Sequence, residues 1–272
     1  MTQPPALFDR PSLDQRRRRM RGDALFLHET ALEEVQDRLA GVKRAFTSVA
    51  IVTPCRDLWR NAFPEATFAP DHDTLDLALG QFDLVIHAMC LHWANDPVGQ
   101  LIQCRRALVE DGLLLLVALG GHTLHELRTS LATGETQATS GLSPRVAPMA
   151  EIRDMGALLQ RAGLTLPVAD SFQLNAQYRD LTHLMHDLRH MGETNVLTNR
   201  LRRPTRRSVF EAAEKAYRSA FSQDGTSLTA TFEIICLTGW SPSDSQPKAL
   251  RPGSAKTRLS DALGTSETKL SD

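Results

Sequence analysis

Phe82-Asp83-Leu84-Val85-Ile86-His87-Ala88-Met89-Cys90-Leu91-His92-Trp93, followed one helix later by Leu113-Leu114-Leu115-Leu116-Val117-Ala118-Leu119-Gly120-Gly121, decides the fold. Each begins as a short apolar run with a sharp stop, the pattern of a strand buried on both faces. Between them Pro97–Leu108 has helical spacing and is closed by the turn Glu110-Asp111-Gly112. Upstream, Val49–Thr53 is a further buried strand, stopped by Pro54, and Asp57–Phe63 suits a short helix. Leu25, His28, Leu32, Val35 and Leu39 recur at helical spacing before it. Downstream come helices at Thr123–Leu131 and Glu151–Arg161, the latter capped by Gly163, then Leu164–Leu174 returning to the sheet. A mostly helical excursion covers 178–221, and Ala230–Leu237 alternates as a last strand. Strands alternating with helices give an α/β fold, a mostly parallel sheet covered on both faces. Ligands in such sheets sit outside the carboxyl ends of the strands. Any site therefore lies near Thr53-Pro54-Cys55, His87–Trp93 and Leu119–Thr123.

Composition bounds the rest. The chain has 272 residues, 42% hydrophobic and 23% charged, with net charge −1. That is ordinary globular usage, with no global field toward nucleic acid or a membrane surface. The longest apolar run, Leu113–Leu119, is too short to span a bilayer, which needs about 20 residues. Cys55, Cys90, Cys104 and Cys236 form no C-x-x-C pair and read as buried free thiols of a reducing cytoplasm. Residues 1–22 carry Arg16, Arg17, Arg18, Arg19 and Arg21, a density that favours a solvated segment. Residues 23–240 form the domain, and 241–272, rich in Ser, Pro, Lys and Asp, read as a disordered tail. The arginine clusters have no interleaved aromatics for base stacking, so nucleic acid is not expected. No nucleophile elbow or phosphate-binding loop is present, which removes the corresponding hydrolase and NTPase classes.

Five segments carry a family resemblance: Phe82–Pro97, Arg106–Leu131, Gly141–Pro148, Asp187–Asn199 and Gly239–Ala255, with a looser echo in Phe8-Asp9-Arg10 and the arginine run. Gly120-Gly121-x-Thr123-Leu124-x-Glu126-Leu127-Arg128 and Met191-Gly192-Glu193-x-Asn195 are the more specific parts. Together they resemble the methyltransferase-like assembly factors of respiratory complex I and their bacterial relatives. The malonyl-carrier-protein methyltransferases of biotin synthesis are more distantly similar. The resemblance implies a Rossmann-like class I methyltransferase fold of seven strands with a helical lid, S-adenosylmethionine as cofactor, and a complex I subunit as partner. It also implies an arginine hydroxylase as an alternative activity.

Two departures stand out. The family's first strand leads into a glycine-rich loop, and glycine lets the backbone approach a cofactor closely. Here Thr53-Pro54-Cys55-Arg56-Asp57-Leu58-Trp59 contains no glycine. Only 28 residues, Pro54 to Gln81, separate two strands that the fold normally parts by two strands and three crossovers. Roughly 40 would be needed, so the N-terminal half is shortened by at least one β–α unit. Where relatives carry Gly-Gly-Asp-Thr-Leu, this chain has His122 in place of the acid; Thr123 could then cap the next helix.

The candidate cofactor residues are accordingly Thr53, Cys55, Ala88, Met89, His92 and Trp93, with Asp71 or Asp73 for the ribose hydroxyls. His122, Glu126, Arg128, Glu193 and Asn195 are candidates for substrate and lid contacts, Arg128 because guanidinium suits carboxylates. Each has an ordinary structural alternative: core packing for Trp93, a helix-surface pair for Glu126 and Arg128, a helix end at Gly192. No residue stands out as a general base. The histidines and acids lack the fixed spacing of a 2-His-1-carboxylate set, so no metal site is expected. An S-adenosylmethionine enzyme and a non-catalytic assembly protein that lost the cofactor loop both remain open.

Overall fold

The computed structural model describes residues 6–222, 225–247, 257 and 259–265. Close contacts divide the chain into residues 1–242 and 243–272. In chain order the first unit runs α1 (Arg10–Arg17), α2 (Phe26–Gly41), β1 (Val49–Val52), α3 (Arg56–Ala62), β2 (Thr67–Ala69), β3 (Phe82–Ala88), α4 (Pro97–Ala107), β4 (Leu108–Leu119) and α5 (His125–Thr139). It continues with α6 (Ile152–Arg161), β5 (Thr165–Tyr178), α7 (Leu181–His190), α8 (Arg207–Phe221) and β6 (Leu228–Trp240). In the second unit, Leu259–Leu263 forms a five-residue helix, α9, within the stretch expected to lack structure. Gly253-Ser254-Ala255 of the family-like tail lie outside the described residues.

The sheet order is β2-β1-β3-β4-β6-β5. The first four strands are parallel, and β6 runs antiparallel to both β4 and β5. Among the described residues six strands replace the seven that the resemblance implied. The missing unit is where the length arithmetic placed it: residues 70–81 pass from β2 to β3 without a helix, leaving three-residue β2 at the edge.

Alternation along the strands explains the all-apolar runs. Ile51, Leu84, Ile86, Leu113, Leu115 and Val117 pack into one core with α2, α3, α5, α7 and α8. Their neighbours Ala50, Val52, Val85, Leu114, Leu116 and Ala118 pack into the other with α4 and α6. A strand sandwiched between helix layers has no solvent face on which a polar residue could sit. The expected turn at Glu110-Asp111-Gly112 instead lies inside β4. The β3–β4 register shifts between Phe82 and Leu84, and Asp111 takes φ +59°.

The N-terminal segment departs most from expectation. Asp9 caps α1 by accepting from Ser12 N–H at 3.1 Å, and Pro11 fills a first-turn position that needs no donor. Leu13 is fully buried. Its cluster holds Phe8, Trp93, Ala147, Val196 and Leu197, and Phe8 meets the Trp93 ring edge-on at 5.1 Å between centroids. Asn95 binds the Phe8 backbone twice, accepting from its N–H at 2.8 Å and donating to its carbonyl at 3.1 Å. Asp9 N–H reaches Val196 O at 2.9 Å. The solvated reading holds for Arg18, Arg19 and Arg21, which are exposed, and fails for Arg17: apolar Phe8 and Leu13 anchor the segment to the sheet's ligand end, carrying Arg10 and Arg17 inside.

Candidate functional site

The carboxyl ends of β1, β2 and β3 meet below α1, and buried charge concentrates there. Asp71, just past β2, is 3% exposed. Its Oδ1 accepts from Arg17 Nη1 at 2.6 Å and its Oδ2 from Arg10 Nη1 at 3.1 Å, while Arg10 Nη2 donates to its backbone carbonyl at 2.8 Å. Gln100 on α4 ties this loop to the sheet. Its Nε2 donates to Asp71 O and His72 O at 3.1 and 3.0 Å, and its Oε1 faces His87 Nε2 at 3.0 Å. Burial alone would raise the Asp71 carboxyl, but the guanidinium groups of Arg17 and Arg10 hold it below the usual carboxylate range. Asp73 points outward and is exposed, its carbonyl accepting from Gln103 Nε2. Of the two acids, only Asp71 is brought to the site.

The turn after β1 is closed by its own groups. Thr53 Oγ1 accepts from Cys55 N–H at 3.2 Å, and both residues are buried. Burial pushes the Cys55 thiol up to about 12, so it is no nucleophile. Ala88 and Met89 are likewise buried, and Met89 takes φ +54° as the chain leaves β3.

His92 and Trp93 meet the excursion. Trp93 Nε1 donates to Glu193 Oε2 at 2.8 Å, and His92 Nε2 lies 3.2 Å from the same oxygen. His92 Nδ1 accepts from Leu119 N–H at 3.4 Å, which places the ring proton on Nε2, facing Glu193. Burial opposes the Glu193 charge, yet His92, Arg17 and the Trp93 donor bring its carboxyl below the ordinary range. His28 on α2 is buried, with neither ring nitrogen bonded among the described residues, and senses the charges of Glu193 and Arg17. Burial lowers its pKa to about 4. Arg17 Nη2 and Thr194 Oγ1 are also buried without a partner among the described residues.

Beside this cluster opens a cleft of about 720 Å³. Its buried floor comes from β4 and α5 through Leu119, Leu124, Leu127 and Leu131, and from β6 through Phe232. Its other wall is the excursion, through Met185, Leu188, Glu193–Asn195 and Phe210. Asn195 shapes that wall, its Nδ2 donating to Pro144 O at 2.8 Å and its Oδ1 accepting from Leu197 N–H at 3.0 Å.

Of the sequence candidates only Trp93, Glu193 and Asn195 line the cleft. Thr53, Cys55, Asp71, Ala88, Met89 and the His92 side chain lie buried outside its lining, Asp73 is exposed, and the substrate candidates His122, Glu126 and Arg128 do not reach it. The His122 side chain is exposed, and its backbone N–H donates to Glu233 Oε2 at 2.9 Å. Glu126 turns into the core, where the Thr231 hydroxyl donates to it. Arg128 Nη2 reaches back to Thr123 O at 3.4 Å. For His122 and Glu126 the physical reason is shared: β6 lies against the start of α5, so polar groups on that turn satisfy the strand. Thr123 follows the same logic. It exchanges hydrogen bonds with the Glu233 backbone, while Leu124, not Thr123, occupies the N-cap position of α5. Sequence reasoning missed Arg16, Arg17, Arg189 and Arg200. Their signal, an arginine run beside the Phe8-Asp9-Arg10 echo, was visible, but its burial was not. Among the described residues no group of His, Cys, Asp and Glu stands together as a metal-binding set. No helix among them is long and apolar enough to cross a membrane.

Comparison with known proteins agrees with this geometry. Residues 31–116 match the family described as Methyltransferase domain. The mitochondrial arginine-hydroxylase NDUFAF5 of Dictyostelium discoideum is 40% identical over 185 residues, 68% of this chain and 42% of the relative. The Danio rerio protein of the same name is 32% identical over 220 residues, covering 81% and 68%. The malonyl-[acyl-carrier protein] O-methyltransferase of Laribacter hongkongensis is 34% identical over 188 residues, covering 69% and 61%. The YcgJ protein of Bacillus subtilis superposes with a TM-score of 0.50 at 12% identity, over 79% of this chain and all of that one, a likeness of fold alone. The chain spans between 42% and 68% of the length of the curated relatives it matches. Identity of 32% sustained across 81% of this chain and 68% of the Danio rerio protein establishes that the chain belongs to the class I S-adenosylmethionine-dependent methyltransferase family that includes the NDUFAF5 proteins.

Proposed function

We propose that this protein acts in the assembly or modification of respiratory complex I, with a complex I subunit as protein partner and S-adenosylmethionine as cofactor. The observation that carries the cofactor part of this reading is a set of buried polar groups without partners among the described residues: Arg17 Nη2, both nitrogens of His28, and Thr194 Oγ1. Such groups are rare in native interiors, and each is costly unless a ligand or water satisfies it. In donor chemistry the residues present fit the cofactor. Asp71 would hold the ribose hydroxyls, since each of its oxygens accepts only one guanidinium bond and keeps acceptor capacity. The free nitrogen of Arg17 would take the methionyl carboxylate. When bound, S-adenosylmethionine supplies an electrophilic methyl group, whose transfer depends chiefly on alignment.

The chain's own residues supply that alignment. His92 keeps its proton on Nε2, toward Glu193, and Trp93 donates to the same carboxylate, so the ends of β3 and the excursion are pinned together. Residues 178–221 would act as the lid, with α7 and Glu193–Asn195 excluding water from the cleft. The four buried free thiols suit the reducing cytoplasm as the protein's location.

One observation favours a second reading, a non-catalytic assembly protein. The turn after β1 lacks glycine, and Arg10 and Arg17 already engage the ribose carboxylate candidate. Calorimetric titration with S-adenosylmethionine and S-adenosylhomocysteine separates the two. Micromolar binding, weakened by Arg17→Gln, supports the enzyme. Absence of heat at millimolar ligand eliminates it and leaves the scaffold.

A further inference from the structure

The cleft under α7 carries a charge pattern that its neighbours neutralise only in part. Its wall includes Arg16, Arg145, Arg189, Arg200 and Arg202. Arg145 is committed to Glu135 at 2.7 Å, and Arg200 and Arg202 share Asp9 at 3.0 and 3.5 Å. Arg16 and Arg189 form no ion pair among the described residues, and the Arg16 guanidinium, already penalised by burial, feels the like charges of Arg19, Arg200 and Arg189. Glu193 is the one carboxylate among the residues lining the cleft, and His92 and Trp93 already engage it. Below this cationic rim, where Arg189 and Arg202 are exposed, the floor is buried hydrocarbon: Leu124, Leu127, Leu131 and Phe232.

We infer that this cleft binds an amphipathic anion, a carboxylate or phosphate head on an apolar chain, with the head held by Arg16 and Arg189 and the chain laid on the Leu124–Leu127–Leu131 face. Guanidinium matches both oxyanions in geometry, and an anion there relieves the repulsion among the arginines. The apolar floor gives the chain surface to bury. A volume of about 720 Å³ falls within the usual range of roughly 300–1,000 Å³ for ligand sites. A cationic side chain would meet unneutralised guanidinium groups instead. The inference rests on the proposed reading of residues 178–221 as a lid over this cleft.

The test is calorimetric titration of the full chain with laurate, dodecyl phosphate, dodecyltrimethylammonium and dodecanol, and with inorganic phosphate alone. Laurate or dodecyl phosphate should bind, the better of the two identifying the head group, while the cationic and neutral chains bind at least about tenfold more weakly. The double variant Arg16→Gln/Arg189→Gln should lose roughly tenfold or more of that affinity, as expected when charge-assisted bonds are removed. Arg60→Gln, on α3 against Phe68, should lose none. Equal binding of all four chains, equal binding of phosphate alone, retention of affinity in the double variant when circular dichroism shows it folded, or no binding at all would each overturn the inference. Repeating the titration with S-adenosylmethionine separates the two proposals. Anion binding without cofactor binding removes only the enzyme reading, and cofactor binding without anion binding removes only this one.

Discussion

Replacing Asp71 with asparagine removes the one charge that two buried cations share. Arg17 Nη1 lies 2.6 Å and Arg10 Nη1 3.1 Å from the carboxylate, and the side chains are 10%, 14% and 4% exposed respectively. Breaking a buried pair by deleting one partner costs about 3–5 kcal/mol, because the remaining charge stays desolvated and unpaired. Asparagine keeps an acceptor oxygen, so the lower end, about 3 kcal/mol, is expected. In a chain of this size that is a fall in Tm of roughly 6–12 °C. Differential scanning calorimetry at pH 7 measures it. Adding Arg17→Met should recover part of the loss, since the closer cation then needs no partner. The pH dependence supplies an independent check. The folded carboxyl titrates below its unfolded value of about 3.9, so its contribution is present above that pH and is lost as pH falls through the folded value. The gap between parent and variant should therefore close on acidification below about pH 4. A variant melting within about 2 °C of the parent at pH 7, or a gap that widens with acid, would refute the reasoning.

Two other outcomes are expected. His28 is buried with a pKa near 4 against about 6.5 when unfolded, so the parent loses stability as pH falls below 6.5, where the unfolded chain takes up a proton the folded one refuses. His28→Leu should gain about 2 kcal/mol on the parent between pH 7 and pH 5, read from urea midpoints; parallel curves would show that His28 is hydrated. At Gly134 an added Cβ would lie 2.5 Å from Ala213 N and 2.7 Å from Val209 O, both backbone atoms of α8. Gly134→Ala should therefore destabilise by about 1–3 kcal/mol despite the better helix propensity of alanine, and a raised Tm would show that α5 and α8 are free to separate.

The α/β architecture was legible because it rests on local signals. Phe82–His87 and Leu113–Leu119 are apolar at every position, as strands must be when helices cover both faces, and chain length alone showed that 54–81 had lost a β–α unit. The Glu193 region was legible through family-specific spacing, and Asp71 through its place after a strand. What remained hidden depends on long-range pairing. A run of arginines reads as solvated unless a distant acid and an apolar anchor are known to meet it. Here Asp71 lies 54 residues from Arg17, and Phe8 docks on Trp93. Likewise Glu126 and Arg128 look available on their helix, but Thr231 of β6 meets Glu126 in the core and Arg128 folds back onto Thr123. The sequence by itself determined which segments are strands and helices, because burial on one or two faces leaves its period in the chain. The tertiary structure decided which charges are inside, because desolvation and pairing are set by neighbours that no local window contains.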